Sequence, residues 1–214
     1  LSQNSKYTYF NKFKAALREA YHETASFAVA GGTTPGPIFD TLCAVDLDWG
    51  RVHVMATDER WVPQDDPRSN AGLIRARLLT GRASEANEIL LYAPTAVPED
   101  ALEEIAARVE PQLPLSVLLL GMGEDMHTAS LFPGGTGLKQ ALKHDAPPVV
   151  AMRTDAVPEP RISLSAPVLN GALSKHLVIY GAAKRTAFEQ AMSLPPLDAP
   201  IQAVLDALTV HWAE

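Results

Sequence analysis

His127 is the residue of this chain best placed to move a proton. It lies in the stretch Leu115 to Gly135, where an unbroken apolar run, Val117 to Leu120, gives way at once to Gly121-Met122-Gly123-Glu124-Asp125-Met126-His127. A short apolar run that ends in glycines reads as a strand buried on both faces. In open parallel sheets, ligands bind outside the carboxyl ends of the strands, so His127 falls where such a protein does its chemistry. Thr128 to Phe132 predicts about one to two helical turns, stopped by Pro133 and Gly134. At the N-terminus of that helix the dipole would disfavour the imidazolium and keep the ring neutral, as a base must be. Asp125 either orients the ring or caps the turn, and the local sequence fits both.

Other strand ends carry chemistry of a second kind. Phe27 to Ala30 runs into Gly31-Gly32-Thr33-Thr34-Pro35-Gly36-Pro37 before an expected helix, Ile38 to Cys43. A strand that breaks into glycines and enters a helix presents converging N–H groups, which bind phosphate. Thr34 fits as the helix N-cap with Pro35 in the first helical position. Pro35 and Pro37 have no N–H, so the donors are Gly31, Gly32, Thr33, Thr34 and Gly36, with the threonine hydroxyls beside them. No lysine follows and the glycines are adjacent, so this is neither a Walker loop nor a dinucleotide loop. On the loop alone, a tight strand-to-helix turn is an equally good reading. Arg51 to Thr57 alternates as a strand should and ends in Asp58-Glu59-Arg60-Trp61, a charged cluster whose plain reading is a solvated loop with internal ion pairs. Gly181-Ala182-Ala183-Lys184 places a lysine at a helix start, where it opposes the dipole unless an anion is near.

Composition and periodicity set the frame that positions these residues. The chain has 214 residues, 47% hydrophobic and 20% charged, as one soluble domain would. A net charge of -7 argues against a nucleic-acid or acidic-membrane surface, so an anion site must be built locally. Cys43 is the single cysteine and cannot form an internal disulfide, in keeping with a cytoplasmic location. No run is long enough to span a membrane and no signal-peptide pattern opens the chain, which begins at Leu1 as a trimmed N-terminus would. The remaining histidines, His22, His53, His144, His176 and His211, show no metal-ligand spacing, so no metal is expected.

Apolar runs alternate with helical patterns, which predicts a single α/β domain with a mostly parallel, Rossmann-like sheet flanked by helices. Expected strands are Tyr7–Phe10 at an edge, Phe27–Ala30, Arg51–Thr57, Ile89–Tyr92, Val117–Leu120, Val149–Met152, Arg161–Ser165, His176–Tyr180 and Thr209–Trp212. Expected helices cover 12–23, a segment capped by Ser69 or Asn70 and running to Leu79, and then 98–109, 166–173, 183–192 and 200–208.

Four of these motifs resemble one family, the 6-phosphogluconolactonases. Gly121 to Gly134 matches the signature Gly-x-Gly-x-Asp-Gly-His-Thr-Ala-Ser-Leu-Phe-Pro-Gly, with Met126 in place of the glycine before the histidine. If that position needs a positive φ, methionine meets a steric cost that glycine does not. Thr57 to Pro63 and Asp66 to Asn70 match Thr-Asp-Glu-Arg-Trp-Val-Pro and Asp-Pro-x-Ser-Asn. The resemblance implies that Arg60 contacts substrate, with Asp58 and Glu59 orienting neighbours. It implies that Gly31, Gly32, Thr33, Thr34 and Lys184 hold the sugar phosphate, with Arg161, in Arg-Ile-Ser-Leu, adding to the anion field. The expected reaction is hydrolysis of 6-phospho-D-glucono-1,5-lactone to 6-phosphogluconate, in the oxidative pentose phosphate pathway. His127, Arg60 and Asp125 would be the catalytic set and the small sugar phosphate lactone the partner, with no cofactor. Ser130 keeps a covalent route formally open. The sequence leaves the oligomeric state open, a monomer included. Glucosamine-6-phosphate deaminases share the glycine-rich loop but carry Asp-Gly-His-x-Ala-Phe-Asn-Glu-Pro where this chain has Thr128 to Pro133. Ribose-5-phosphate isomerase motifs are absent, and a non-catalytic sugar-phosphate sensor is the alternative from another class.

Overall fold

The structure, a computed structural model, describes residues 24–214. The expected strand Tyr7–Phe10 and helix 12–23 lie outside those residues. Strands β1 (Ala25–Val29), β2 (Val52–Ala56), β4 (Asn87–Ile89), β5 (Val117–Leu120), β8 (Ser174–Tyr180) and β9 (Leu208–Ala213) form one sheet in the order β4-β2-β1-β5-β8-β9. Every pairing in it is parallel. The two central strands are buried at every position and apolar but for Ser26, because helices cover both faces of a parallel sheet. The core fills with Phe27, Phe39, Leu42, Met55, Ile74, Ile105, Leu118 and Leu119, each nearly or wholly buried.

Helices follow the strands: α1 (Gly36–Leu42), α2 (Asn70–Arg77), α3 (Leu102–Val109), α4 (Leu138–Ala141), α5 (Ala166–Asn170) and α6 (Gly181–Ala191). Ser69 caps α2, its hydroxyl accepting from Gly72 N–H at 3.1 Å. Thr34 does not cap α1; the N-cap is Pro35, whose carbonyl accepts from Ile38 and Phe39. Segments 98–101 and 200–204 wind as 3₁₀ turns rather than α-helix, and the strand expected at 89–92 forms at 87–89 instead.

A second sheet was not foreseen. Asp58–Arg60 is strand β3, one residue beyond β2, and it pairs antiparallel with β7 (Arg161–Leu164), which pairs antiparallel with β6 (Val149–Met152). The charged cluster read as a loop is therefore strand, since Glu59 and Ile162 both turn inward and are buried. The chain order also creates a crevice. It proceeds outward from β1 through β2 to β4, then returns to β5 on the other flank and continues through β8 to β9. Reversal of strand order between β1 and β5 leaves their carboxyl ends splayed, the place where such sheets bind ligands. Among the described residues, no helix is long and apolar enough to cross a membrane.

Candidate active site

A cleft of about 260 Å³ opens at that reversal point, lined by Gly31 to Thr34, Arg60, Asn70, His127, Phe132, Arg161 and Lys184 among others. All the predicted site residues except Asp125 face it, and Asp125 stands directly behind His127. Four strand ends meet here. The glycine loop follows β1, the Asp58–Arg60 strand follows β2, the histidine loop follows β5 and Lys184 follows β8.

The histidine loop differs from its expected form. Residues 128–132 make no helix; Thr128 and Leu131 close a tight turn by a single antiparallel bridge. The dipole expected to keep His127 neutral is therefore absent, and a carboxylate takes over its orientation. Asp125 Oδ1 lies 2.5 Å from His127 Nδ1 and also accepts the His127 backbone N–H at 3.3 Å. An ionised carboxylate only accepts, so Nδ1 is the ring nitrogen that donates, and in the neutral tautomer the lone pair lies on Nε2. Burial pushes the Asp125 carboxyl upward, but the hydrogen bonds and charge of His127 outweigh it and hold the group below its ordinary value. Asp125 is thus an orienting group, not a helix cap.

Backbone strain surrounds the pair. Met126 has φ 67° and Ala129 φ 49°, left-handed conformations that L side chains rarely adopt. The position where the family motif carries glycine thus keeps a positive φ with methionine in it. Its side chain packs, partly buried, against the core, and its carbonyl accepts from Ile201 N–H at 3.2 Å. Packing and that bond oppose the strain.

The glycine loop offers free donors. None of the backbone N–H groups of Gly31, Gly32, Thr33 and Thr34 donates to another described backbone group, and Gly32 bends the loop with φ 83°. The next amide, Gly36, is already spent on Thr33 at 3.3 Å, so four donors rather than five are available. Such a run of unpaired amides is an anion nest. Gly31 is required by close approach: a Cβ there would lie 1.9 Å from Asn70 Oδ1.

Arg60 and Arg161 are register partners across β3 and β7, so two guanidinium groups stand side by side on one wall. Arg60 Nη1 donates to the carbonyl of Arg68, while Arg161 Nη2 donates to Glu159 at 3.1 Å and its Nη1 lies 4.0 Å from Asp58. The Nε atoms of both are buried without a partner. Burial, and then the charge of Arg60, lower the Arg161 pKa from its ordinary value. Two like charges crowded in this way favour an anion between them.

The Asp66 to Asn70 motif braces this wall. Asp66 binds the Arg68 side chain at 2.8 Å and its backbone N–H at 2.9 Å, fixing the carbonyl that holds Arg60. Asn70 Nδ2 donates to the Asp58 carbonyl at 2.7 Å, which seats Asn70 in the cleft. Sequence reasoning offered Asn70 only as an alternative helix cap and gave it no place in the site, although the motif pointed at it. Behind both, Glu59 is 2% exposed and accepts backbone N–H groups from Arg60 at 2.8 Å and from Asn70 and Ala71 at 2.7 Å, with the Ser69 hydroxyl at 3.1 Å. Burial raises its pKa despite those bonds. Each Glu59 oxygen serves two donors, so Glu59→Gln turns an NH₂ toward two of them. Urea unfolding should show a loss of about 2–6 kcal/mol, from two orphaned donors at about 1–3 kcal/mol each. A change below about 0.5 kcal/mol would mean the brace is not under load.

Ser130 is excluded as a nucleophile by its own commitment. It is fully buried, donates to Asp58 Oδ2 at 2.6 Å and does not line the cleft. Among the described residues, no cluster of three His, Cys, Asp or Glu is arranged to hold a metal.

Comparison with known proteins places this arrangement. The family model described as glucosamine-6-phosphate isomerases/6-phosphogluconolactonase matches residues 3–212. A 6-phosphogluconolactonase of Pseudomonas aeruginosa is 40% identical over 202 residues, 92% of this chain and 85% of its own. One of Rhizobium meliloti is 39% identical over 207 residues, 94% and 89% of the two chains. The crystal structure of a 6-phosphogluconolactonase from Shewanella baltica superposes with a TM-score of 0.93 at 32% identity, covering 100% of this chain and 95% of that one. With its α/β fold, its sheet-reversal cleft and these relatives, the chain belongs to the glucosamine-6-phosphate isomerase/6-phosphogluconolactonase family.

Proposed function

We propose that the protein hydrolyses 6-phospho-D-glucono-1,5-lactone to 6-phosphogluconate as a single α/β domain, with His127 as the base. The observation that carries this reading is one cleft in which a carboxylate-oriented imidazole faces two separate groups of anion-binding donors. His127 Nε2 takes a proton from water as the oxygen attacks the lactone carbonyl, and Asp125 supports the imidazolium that forms. The tetrahedral oxyanion is stabilised by Arg60, with Arg161 beside it. The imidazolium then returns its proton to the ring oxygen as the ester C–O bond breaks, leaving a carboxylic acid that ionises. The four free amides of Gly31 to Thr34, with Lys184, hold the phosphate and so fix the reacting end beside the base.

The direct test is loss of freshly generated lactone in the presence of the protein, corrected for spontaneous hydrolysis. Acceleration no greater than that of an inert protein would refute the assignment. Lys184 has no ion-pair partner among the described residues, so it is free to meet phosphate. Lys184→Ala should raise KM by about tenfold or more with kcat little changed, the mark of lost ground-state binding. A variant with unaltered KM would move the phosphate elsewhere.

A further inference from the structure

We infer that Arg68 is a positioning residue for both arginines of the cleft wall: its carbonyl holds Arg60, and its side chain holds Arg161 by way of Glu159. One exposed residue thereby aligns the two guanidiniums together. The inference rests on the proposed hydrolysis only where alignment is read as rate.

Arg60 and Arg161 stand at the last rung of the β3–β7 ladder. Beyond them Trp61 N–H donates to the Pro160 carbonyl at 2.8 Å, and the two chains then part into loops 62–69 and 154–159. Like charges opposed at a sheet end drive it apart unless something closes it. Arg68 closes it. Its Nη1 meets Glu159 Oε2 at 3.4 Å across 91 residues of sequence, and Glu159 Oε1 accepts from Arg161 Nη2 at 3.1 Å. The Arg68 carbonyl accepts from Arg60 Nη1. Asp58, the other acid near Arg161, lies 4.0 Å away and is occupied by the Thr57 and Ser130 hydroxyls, so Glu159 sets the direction of Arg161.

An exposed ion pair is ordinarily worth little, because two long side chains must be ordered to form it. Here both partners are ordered beforehand. Asp66 grips the Arg68 guanidinium at Nε, 3.0 Å, and at Nη2, 2.8 Å, and takes its backbone N–H at 2.9 Å. The side-chain bonds to Arg68 hold the Asp66 carboxyl down to about 2, so the grip is ionised at neutral pH. Glu159 stands between Pro158 and Pro160, whose rings restrict the backbone on either side, and its side chain is only 11% exposed. The Arg68 side chain, 53% exposed, reaches a partner already in place. Arg68 also fills the one position that the Asp-Pro-x-Ser-Asn motif leaves open, so the device belongs to this chain rather than to the motif.

Arg68→Ala tests this, and the variant folds because it keeps the main-chain carbonyl and amide and removes a half-exposed side chain. Order parameters of the arginine Nε–H groups, from NMR relaxation of the full chain, should fall at both Arg60 and Arg161, from about 0.85 toward about 0.6. At the same time kcat should drop about tenfold, as the groups facing the oxyanion lose their placement. KM should stay within about twofold, because the glycine loop and Lys184 are untouched. A residue that merely supports the loop would shift the unfolding midpoint without that split. Glu159→Ala added to Arg68→Ala should cost kcat less than Glu159→Ala alone, since both cut one relay. Unchanged order at either arginine would overturn the inference, as would additive losses in the double variant, or full kcat in a protein whose arginines have loosened. If the unaltered protein opens no lactone, the proposed reaction falls while the order parameters still decide the alignment.

Discussion

His127→Ala is expected to lower kcat by about a hundred- to ten-thousandfold, the usual contribution of a general base, while KM for the lactone changes little. The split follows from the site. In the proposed reaction the glycine loop, Lys184 and the arginine wall bind anions without the imidazole, whereas the ring that Asp125 holds through Nδ1 supplies the base at Nε2. Stability should hardly move, because the side chain is 31% exposed and its one side-chain hydrogen bond is to an exposed carboxylate. Spontaneous opening of the lactone sets a floor, so the measurement is initial rate at saturating substrate minus the rate without protein. A variant within about threefold of the unaltered protein would remove His127 from the reaction, and the base would have to be sought elsewhere in the cleft.

The parallel sheet was legible because its strands are self-declaring. Val117 to Leu120 is apolar without interruption, and such a run has no stable place except between two covered faces. The glycine-rich exits were legible for a related reason: a chain leaving a buried strand beside a ligand needs tight turns and unpaired amides. Asp58–Arg60 was not legible, since three consecutive charged residues have no strand propensity of their own. Tertiary pairing with β7 supplies what propensity lacks, and Glu59 is tolerated inside only because four donors, three of them from residues 60, 70 and 71, converge on it. The helix expected after His127 failed on competition of the same kind. Thr128 gives its hydroxyl to the Gly121 carbonyl at 2.9 Å and Ser130 gives its own to Asp58, so the side chains of this segment tie it to the β5 exit and to β3. Asp58 is 72 residues from Ser130 in sequence. In each case the residue types were right and the long-range partner was invisible.

The same loop makes Gly123→Ala the sharper test of geometry. A Cβ on Gly123 would stand 2.3 Å from both Asp125 Oδ1 and His127 Nδ1, squarely against the pair whose contact orients the base. Gly123 does not have a left-handed φ, so alanine meets no backbone penalty there, unlike at Gly32 or Gly134. The loop is closed by Gly123 N–H to the His127 carbonyl at 3.0 Å and by Met126 N–H to the Gly123 carbonyl at 3.1 Å, bonds that a methyl group need not break. What must give is the ends of two side chains exposed by about a third and a half. The fold should therefore survive with a midpoint shift of only a few degrees. Meanwhile kcat should fall about a hundredfold, the cost of moving a base by roughly an ångström. Adding Gly123→Ala to His127→Ala should then cost nothing further, because both changes remove one function. Full activity in a folded Gly123→Ala protein would show that Asp125 need not touch the imidazole, and a further loss in the double variant would show that the glycine acts through something other than the histidine.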